Sequence, residues 1–480
     1  MTDSTLSTSP VPQRDRPPGR YRWAALTVLC LAQFMLVLDV TVVNVALPDI
    51  GADLHLGRTA LTWVVTSYTL AFGGLMLLGG RLADALGARR TFVAGLVLFT
   101  GASLTAGLAG SAGTLLTARV AQGVGAALLS PSALSLVTST FEGPQRQRAL
   151  GVWAAIGGAG SAAGVLLGGL LTSGPGWNWI FYVNVPVGVL VLALLPSLVA
   201  AVPPRPARLD LPGAVLVTGG TAALIKGLVA AGDGGWASAG ALVPLGLAVV
   251  LYAAFALTER ASRAPLIDVR LLTRRPVVAG AFLILVATGL LIAAFFLSSV
   301  HLQRDRGYSA LGTGLAFLPV AVATAAGAHL AGRLLGAVGA RSVAAAGMAV
   351  TAAGLIPLAR TNAGTGVWST VVPSLSVAAF GIGAVFVTAF TIGLALVPAH
   401  ESGLASGALN TFHEVGGSIG VAVVSTIAAS GIEHGVPAGY AHAYAACAGA
   451  AAGAALIALV LVPRGRVPAA GGGHGGPHGH

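Results

Sequence analysis

Fourteen stretches of roughly twenty residues, built mainly from Ala, Leu, Val, Ile, Phe and Gly, alternate with short segments that gather Arg, Asp, Glu and Pro. About 20 apolar helical residues cross the ~30 Å hydrocarbon core of a bilayer. The pattern predicts an all-α polytopic membrane protein with fourteen transmembrane helices. They fall near residues 23–47, 61–80, 91–110, 113–138, 148–172, 179–201, 211–231, 239–258, 277–299, 311–332, 342–359, 369–397, 404–429 and 439–462. Pro48 is expected to follow the end of the first span, and Pro373 to mark the true start of the twelfth.

Composition agrees. The chain is 55% hydrophobic and 9% charged, with a mean hydropathy of +0.86, which excludes an ordinary soluble domain. Its 68 glycines suit helices that approach closely in lipid. A net charge of +11 alone would fit a nucleic-acid binder, but the charges lie in the short connections, so no nucleic acid is expected. Cys30 and Cys447 fall inside predicted spans and form no disulfide framework. There is no phosphate-cradling Gly-Lys-Ser/Thr loop, no metal-ligand spacing and no nucleophile–base pair in a polar loop. An enzyme or scaffold would need such a cluster or a large folded loop, so the reading is a non-enzyme without cofactor.

With the N-terminus inside, 20 of the 26 Lys and Arg residues fall in tails and loops on the inner side, against four outside. Both termini are therefore expected in the cytoplasm. One internal repeat is legible. Gly80-Arg81-Leu82-Ala83-Asp84-Ala85-Leu86-Gly87-Ala88-Arg89 returns as Gly332-Arg333-Leu334-Leu335-Gly336-Ala337-Val338-Gly339-Ala340-Arg341. Two bundles on one plan mark a transporter that rocks around a central site. The expected organisation is a disordered cytoplasmic tail (1–22), a six-helix bundle (23–201), two inserted helices (202–258), a basic loop (259–276), a second six-helix bundle (277–462) and a Gly/His-rich tail (463–480). That tail reads as a linker rather than a metal site.

Three charged residues deep inside spans stand out, while Lys226, near the outer end of the seventh span, is expected to snorkel. Asp39 stands eight residues before the end of the first span, and Arg119 about seven residues into the fourth. At 1.5 Å per residue both sit about 10–12 Å below the outer surface, level enough to pair. Snorkelling of Arg119 to the surface is the alternative. Glu414 falls at mid-depth in the thirteenth span, where Asn410, Glu414 and Ser418 recur at fours on one face. That stripe is either a substrate or proton site or a helix-packing hydrogen bond. His413 points away and reads as a packed or lipid-edge residue. In the fifth span Gly160, Gly164 and Gly168 form a small-residue stripe for close helix packing. Glycines at 80 and 87 let the chain turn between spans two and three, so that Asp84 can face the N-terminal end of the thirteenth span near Gly403.

These residues resemble the fourteen-span drug:proton antiporter family of the major facilitator superfamily. The likeness rests on Leu38-Asp39-x-Thr41-Val42-Val43-Asn44-Val45-Ala46-Leu47-Pro48, on Gly80-Arg81-Leu82-Ala83-Asp84-x-x-Gly87-x-Arg89-Arg90, on Arg119-x-x-Gln122-Gly123-x-Gly125 and on the glycine-dense fifth span. It implies export of hydrophobic or cationic drugs or antibiotics across the bacterial cytoplasmic membrane, driven by the proton gradient without a cofactor, by a monomer. A metabolite exporter or a proton symporter of the same fold is the alternative. In the family the arginine matching Arg119 is implicated in proton coupling, and the loop matching Asp84, Arg89 and Arg90 steadies the outward-open state. Asp39 and Glu414 are the candidate protonatable groups. Two departures stand out: Val165 replaces the usual proline after Gly164, and Asn178 replaces a usual arginine.

Overall fold

The computed structural model describes residues 19–141, 143–199, 210–262, 274–361, 364–395, 402–429, 432 and 436–464. Most of both tails, the linker 200–209 and most of the basic loop (263–273) lie outside that set. The described chain is helical throughout, without strands. The N-terminal half comprises α1 (Gly19–Asp53), α2 (Arg58–Leu86), α3 (Ala88–Gly107), α4 (Ala112–Thr140), α5 (Gly143–Ser173), the single turn α6 (Trp179–Tyr182) and α7 (Asn184–Leu198). The inserted pair is α8 (Leu211–Gly234) and α9 (Ala239–Ala261). The C-terminal half comprises α10 (Arg275–Val300), α11 (Ala310–Val338), α12 (Ala340–Leu355), α13 (Val372–Ala395), α14 (Ser402–Ile427) and α15 (Pro437–Leu461). With α6 and α7 taken as one interrupted span, fourteen membrane-length segments result. Twelve candidate spans meet the length and hydropathy expected of a bilayer crossing within the described residues.

Two expectations about the chain's punctuation need correction. The first helix does not end before Pro48; α1 runs through it to Asp53. A proline at position i cannot bond the carbonyl four residues back, so Pro48 leaves the Asn44 carbonyl without its helical partner. Ser299 Oγ of the other half donates to that carbonyl at 2.6 Å, which is how an interior proline is tolerated here. Gly80 also lies within α2 rather than in a turn. The turn belongs to Gly87 alone, at φ +93°, and the repeat reproduces it at Gly339, φ +82°. Both glycines take a backbone conformation that side chains disfavour. The start of the twelfth span agrees better with expectation, since Pro373 is the second residue of α13.

The hydrogen bonds that join the two halves gather at one face, where α1 ends and α2 begins. Ser299 and Gln303 donate to the Asn44 and Val45 carbonyls (2.6 and 2.7 Å). Thr62 and Thr69 of α2 meet Ser425 and Ser418 of α14 at 2.6 and 2.5 Å. Between α5 and α11, the Leu311 amide donates to Ser173 Oγ at 3.0 Å. Gly314 lies so close to α5 that a Cβ there would stand 2.6 Å from the Val165 carbonyl oxygen. These contacts hold that face closed. The helix α8 joins the same closure, because Thr426 of α14 donates to the Leu228 carbonyl at 2.6 Å.

Candidate functional site

Asp39 lies at the centre of the N-terminal half, 0% exposed, with Arg119 at 1%. The depth argument expected these two charges to meet, and they do. Arg119 Nη1 donates to Asp39 Oδ2 at 2.5 Å. The other carboxylate oxygen accepts from Gln122 Nε2 at 3.0 Å and from Asn184 Nδ2 at 3.1 Å. The arginine is held in turn: Nε donates to the Val64 carbonyl (3.1 Å) and Nη1 to Gln122 Oε1 (3.0 Å). Ser103 Oγ accepts from Gln122 at 2.8 Å. The guanidinium lies 4.3 Å from the centre of the Tyr68 ring and 5.9 Å from that of Phe181, so its faces see π-electron density instead of solvent. Snorkelling is thereby excluded in this conformation.

Each helix reaches this point for a local reason. Arg119 and Gln122 are three apart on α4 and so share a face. Gly123 lets that face approach α2, since a Cβ would stand 2.5 Å from the Tyr68 carbonyl oxygen; at Gly125 a Cβ would stand 2.7 Å from the Phe99 amide of α3. On the opposite side of α1, Gly160 and Gly168 of α5 back onto Val37 and Val42, each at 3.0–3.1 Å from an added Cβ, and Gly164 backs onto Thr41. The stripe thus packs against the helix that carries Asp39. With three donors on its carboxylate, Asp39 is arranged as an ion, which only accepts. A proton on it would add a donor where donors already point.

Glu414 lies on α14 beside α2, where a Cβ on Gly73 would stand 2.5 Å from the Glu414 Cβ. Its Oε1 is 3.3 Å from His413 Nδ1, and the His413 ring is 5.6 Å from that of Phe386. Ser418 Oγ donates to the Glu414 carbonyl (3.3 Å). The stripe Asn410–Glu414–Ser418 therefore belongs to the seam between the halves, with Asn410 half-buried. Glu414 does not join Asp39; two separate carboxylate sites result.

Comparison with known proteins decides the family. Residues 29–421 match the family model described as Major Facilitator Superfamily. The chain belongs to the Major Facilitator Superfamily. This facilitator is 40% identical over 419 residues to the puromycin resistance protein of Streptomyces alboniger (86% of this chain, 82% of that one). It is 39% identical over 420 residues to the cephamycin export protein of Amycolatopsis lactamdurans (86% of each). In fold it resembles the crystal structure of an auto-inhibited POT family peptide transporter, with a TM-score of 0.68 at 18% identity over 93% of this chain and 97% of that one.

Other residues singled out in this facilitator take varied places. Asp84 is exposed in the last turn of α2. Its expected partner region begins at Ser402, and the preceding residues 396–401 and the side chains near Gly403 lie outside the described set. Arg89 donates to the Pro196 carbonyl at 3.5 Å, Arg90 is exposed, and Arg81 is half-buried. Val165 leaves α5 unbroken, and Asn178 donates to the Gly107 carbonyl at 2.7 Å. Four residues at the Asp39 site were not anticipated: Gln122 as a ligand of the carboxylate, Asn184, Ser103 and Tyr68. Two of them carried a sequence signal: Gln122 as a fixed position of the Arg119-x-x-Gln122 motif, and Asn184 as the one amide between Trp179 and Leu198. His413, expected as a packed or lipid-edge residue, packs its ring beside Phe386 and sets Nδ1 3.3 Å from the Glu414 carboxylate.

Proposed function

We propose that the protein is a proton-coupled exporter of small hydrophobic or cationic molecules across the bacterial cytoplasmic membrane, with Asp39 as the principal proton carrier. The observation that carries this reading is the buried Asp39 carboxylate, whose only charged partner among the described residues is Arg119 of the same half. Protonating Asp39 removes its attraction for Arg119 and turns one acceptor into a donor, so the helices α1, α4 and α7 must repack. Glu414, at the seam, is the second protonatable group and the one positioned to meet a substrate. Relatives named for antibiotic export and resistance support the outward direction. The Lys/Arg asymmetry supports an orientation with the closed face outside and both termini in the cytoplasm. In that orientation the outer face is the closed one, and an exposed Asp84 fits a latch that engages only in the outward-open state. The chain is read as acting as a monomer without a cofactor.

The test is drug-induced proton movement in inverted vesicles from a drug-sensitive strain, with puromycin and ethidium as substrates. Wild-type chain should move protons on addition of either. Asp39→Asn should abolish coupled transport while preserving substrate binding. Full coupled transport by Asp39→Asn would shift the proton role to Glu414.

A further inference from the structure

A groove of about 360 Å³ runs between α2, α4 and α8. That volume is within the range of about 300–1,000 Å³ typical of small-molecule sites. Trp63, Leu70, Leu116 and Val124 line it, and Thr117 and Val120 stand exposed at its rim. Those rim residues lie on a membrane-spanning helix, so the groove opens towards the acyl chains and not towards water.

Two hydroxyls distinguish this groove from an ordinary packing defect. Ser67, 5% exposed, and Thr218 both line it, and neither Ser67 Oγ nor Thr218 Oγ1 has a hydrogen-bond partner. Of the other hydroxyls on these helices, Tyr68 Oη is also without a partner but does not line the groove, whereas three threonines are served within their own helix. Thr62 and Thr66 of α2 and Thr221 of α8 each donate to the carbonyl one turn back. At this depth no water satisfies an unpaired hydroxyl, and leaving one unmade is costly. Ser67 is nine residues from Arg58 at one end of α2, and Thr218 seven from Leu211 at the opposite end of α8. At 1.5 Å per residue these are about 13 and 10 Å from the helix ends, close to the centre of a core whose half-thickness is about 15 Å. Lipid esters lie at the edges of that core, and lipid tails at its centre carry nothing to bond. The hydroxyls therefore fit a molecule with a polar group in its body rather than a lipid.

We propose that the groove between α2, α4 and α8 is a membrane-facing substrate site that takes a drug-sized lipophilic molecule bearing a hydrogen-bonding group directly from the bilayer. The proposal rests on the export reading above and adds to it a route that bypasses the aqueous cavity. The site also backs onto the charged cluster. Ser67 precedes Tyr68, which stacks on Arg119, and Val120 follows Arg119. An occupant therefore presses on the helix faces that carry the Asp39 partners.

The experiment uses the full chain in lipid nanodiscs, with ethidium binding followed by fluorescence polarisation and ethidium efflux followed in cells. Ser67→Ala/Thr218→Val removes both hydroxyls with almost no change of volume and should weaken binding about tenfold. Val120→Trp fills the groove from its lipid-exposed rim and should abolish the same binding, whereas Val120→Ala should retain it. Wild-type affinity in both Val120→Trp and the double variant, with efflux intact, would overturn the groove site and leave the export reading standing. Absence of both binding and efflux in the wild-type chain would overturn the two together.

Discussion

Arg119 holds three acceptors from one buried position: the Asp39 carboxylate, the Gln122 amide oxygen and the Val64 carbonyl. Removing it strands a carboxylate that only two neutral amides then serve. Loss of one partner of a buried ion pair costs about 3–5 kcal/mol, whereas replacing both by apolar groups costs far less. Arg119→Leu should therefore lower the thermal unfolding temperature in detergent more than Asp39→Leu/Arg119→Leu does. A double variant less stable than Arg119→Leu would show that the pair is not the unit of stability. The two charges were legible in the sequence because each interrupts an apolar run. Their neutral partners were much less so, since Gln122, Asn184 and Ser103 are cheap enough in a helix to pass as packing residues. Even the depth estimate succeeded on a wrong boundary. Asp39 is fourteen residues from the end of α1, not eight, and the last turns of α1 stand beyond the start of α4.

Helices meet here through absent side chains, and the glycines differ sharply in what surrounds them. An added Cβ at Gly123 would collide with backbone of α2, while at Gly101 on the outside of α3 it would meet nothing within 4 Å. Gly123→Ala should thus destabilise the N-terminal half by about 1–3 kcal/mol through overpacking. Gly101→Ala should be neutral or stabilise by about 0.5–1 kcal/mol, because alanine loses less backbone freedom in a helix. Thermal unfolding of the two variants side by side checks the contrast; equal effects would mean that the α2–α4 contact is not limiting. Element existence was readable from hydropathy alone, and the glycine stripe of α5 from its spacing. What spacing does not encode is the partner. The stripe faces α1, while Gly169 on the adjoining face of α5 meets α11, so one helix serves both halves.

For the whole molecule, the closed face is a set of short contacts that must part if the halves rock. Thr62 Oγ1 and Ser425 Oγ are 2.6 Å apart across it. In a chain with Cys30→Ser and Cys447→Ser, Thr62→Cys/Ser425→Cys should cross-link on mild oxidation, stop transport, and recover it on reduction. Cross-linked protein that still transports would show that this face need not open. The repeat at Gly80 and Gly332 signalled two like halves. The seam between them was unreadable, because its hydroxyls and glycines sit in sequence among many that do nothing comparable.

Pro48 makes the opening of that face a hydration event. When Ser299 withdraws, the Asn44 carbonyl cannot fall back on an amide within α1, and an unmade buried bond costs about 1–3 kcal/mol. Water must arrive as the serine leaves, so the face wets as it opens. Solutes excluded from protein surfaces should then disfavour opening. In the cysteine-free background, labelling of Thr62→Cys by a water-soluble maleimide should slow as sucrose is raised. Pro48→Ala gives the carbonyl its amide back, so it should both speed labelling and blunt the response to sucrose. Undiminished sensitivity in Pro48→Ala would place the water requirement elsewhere along the seam.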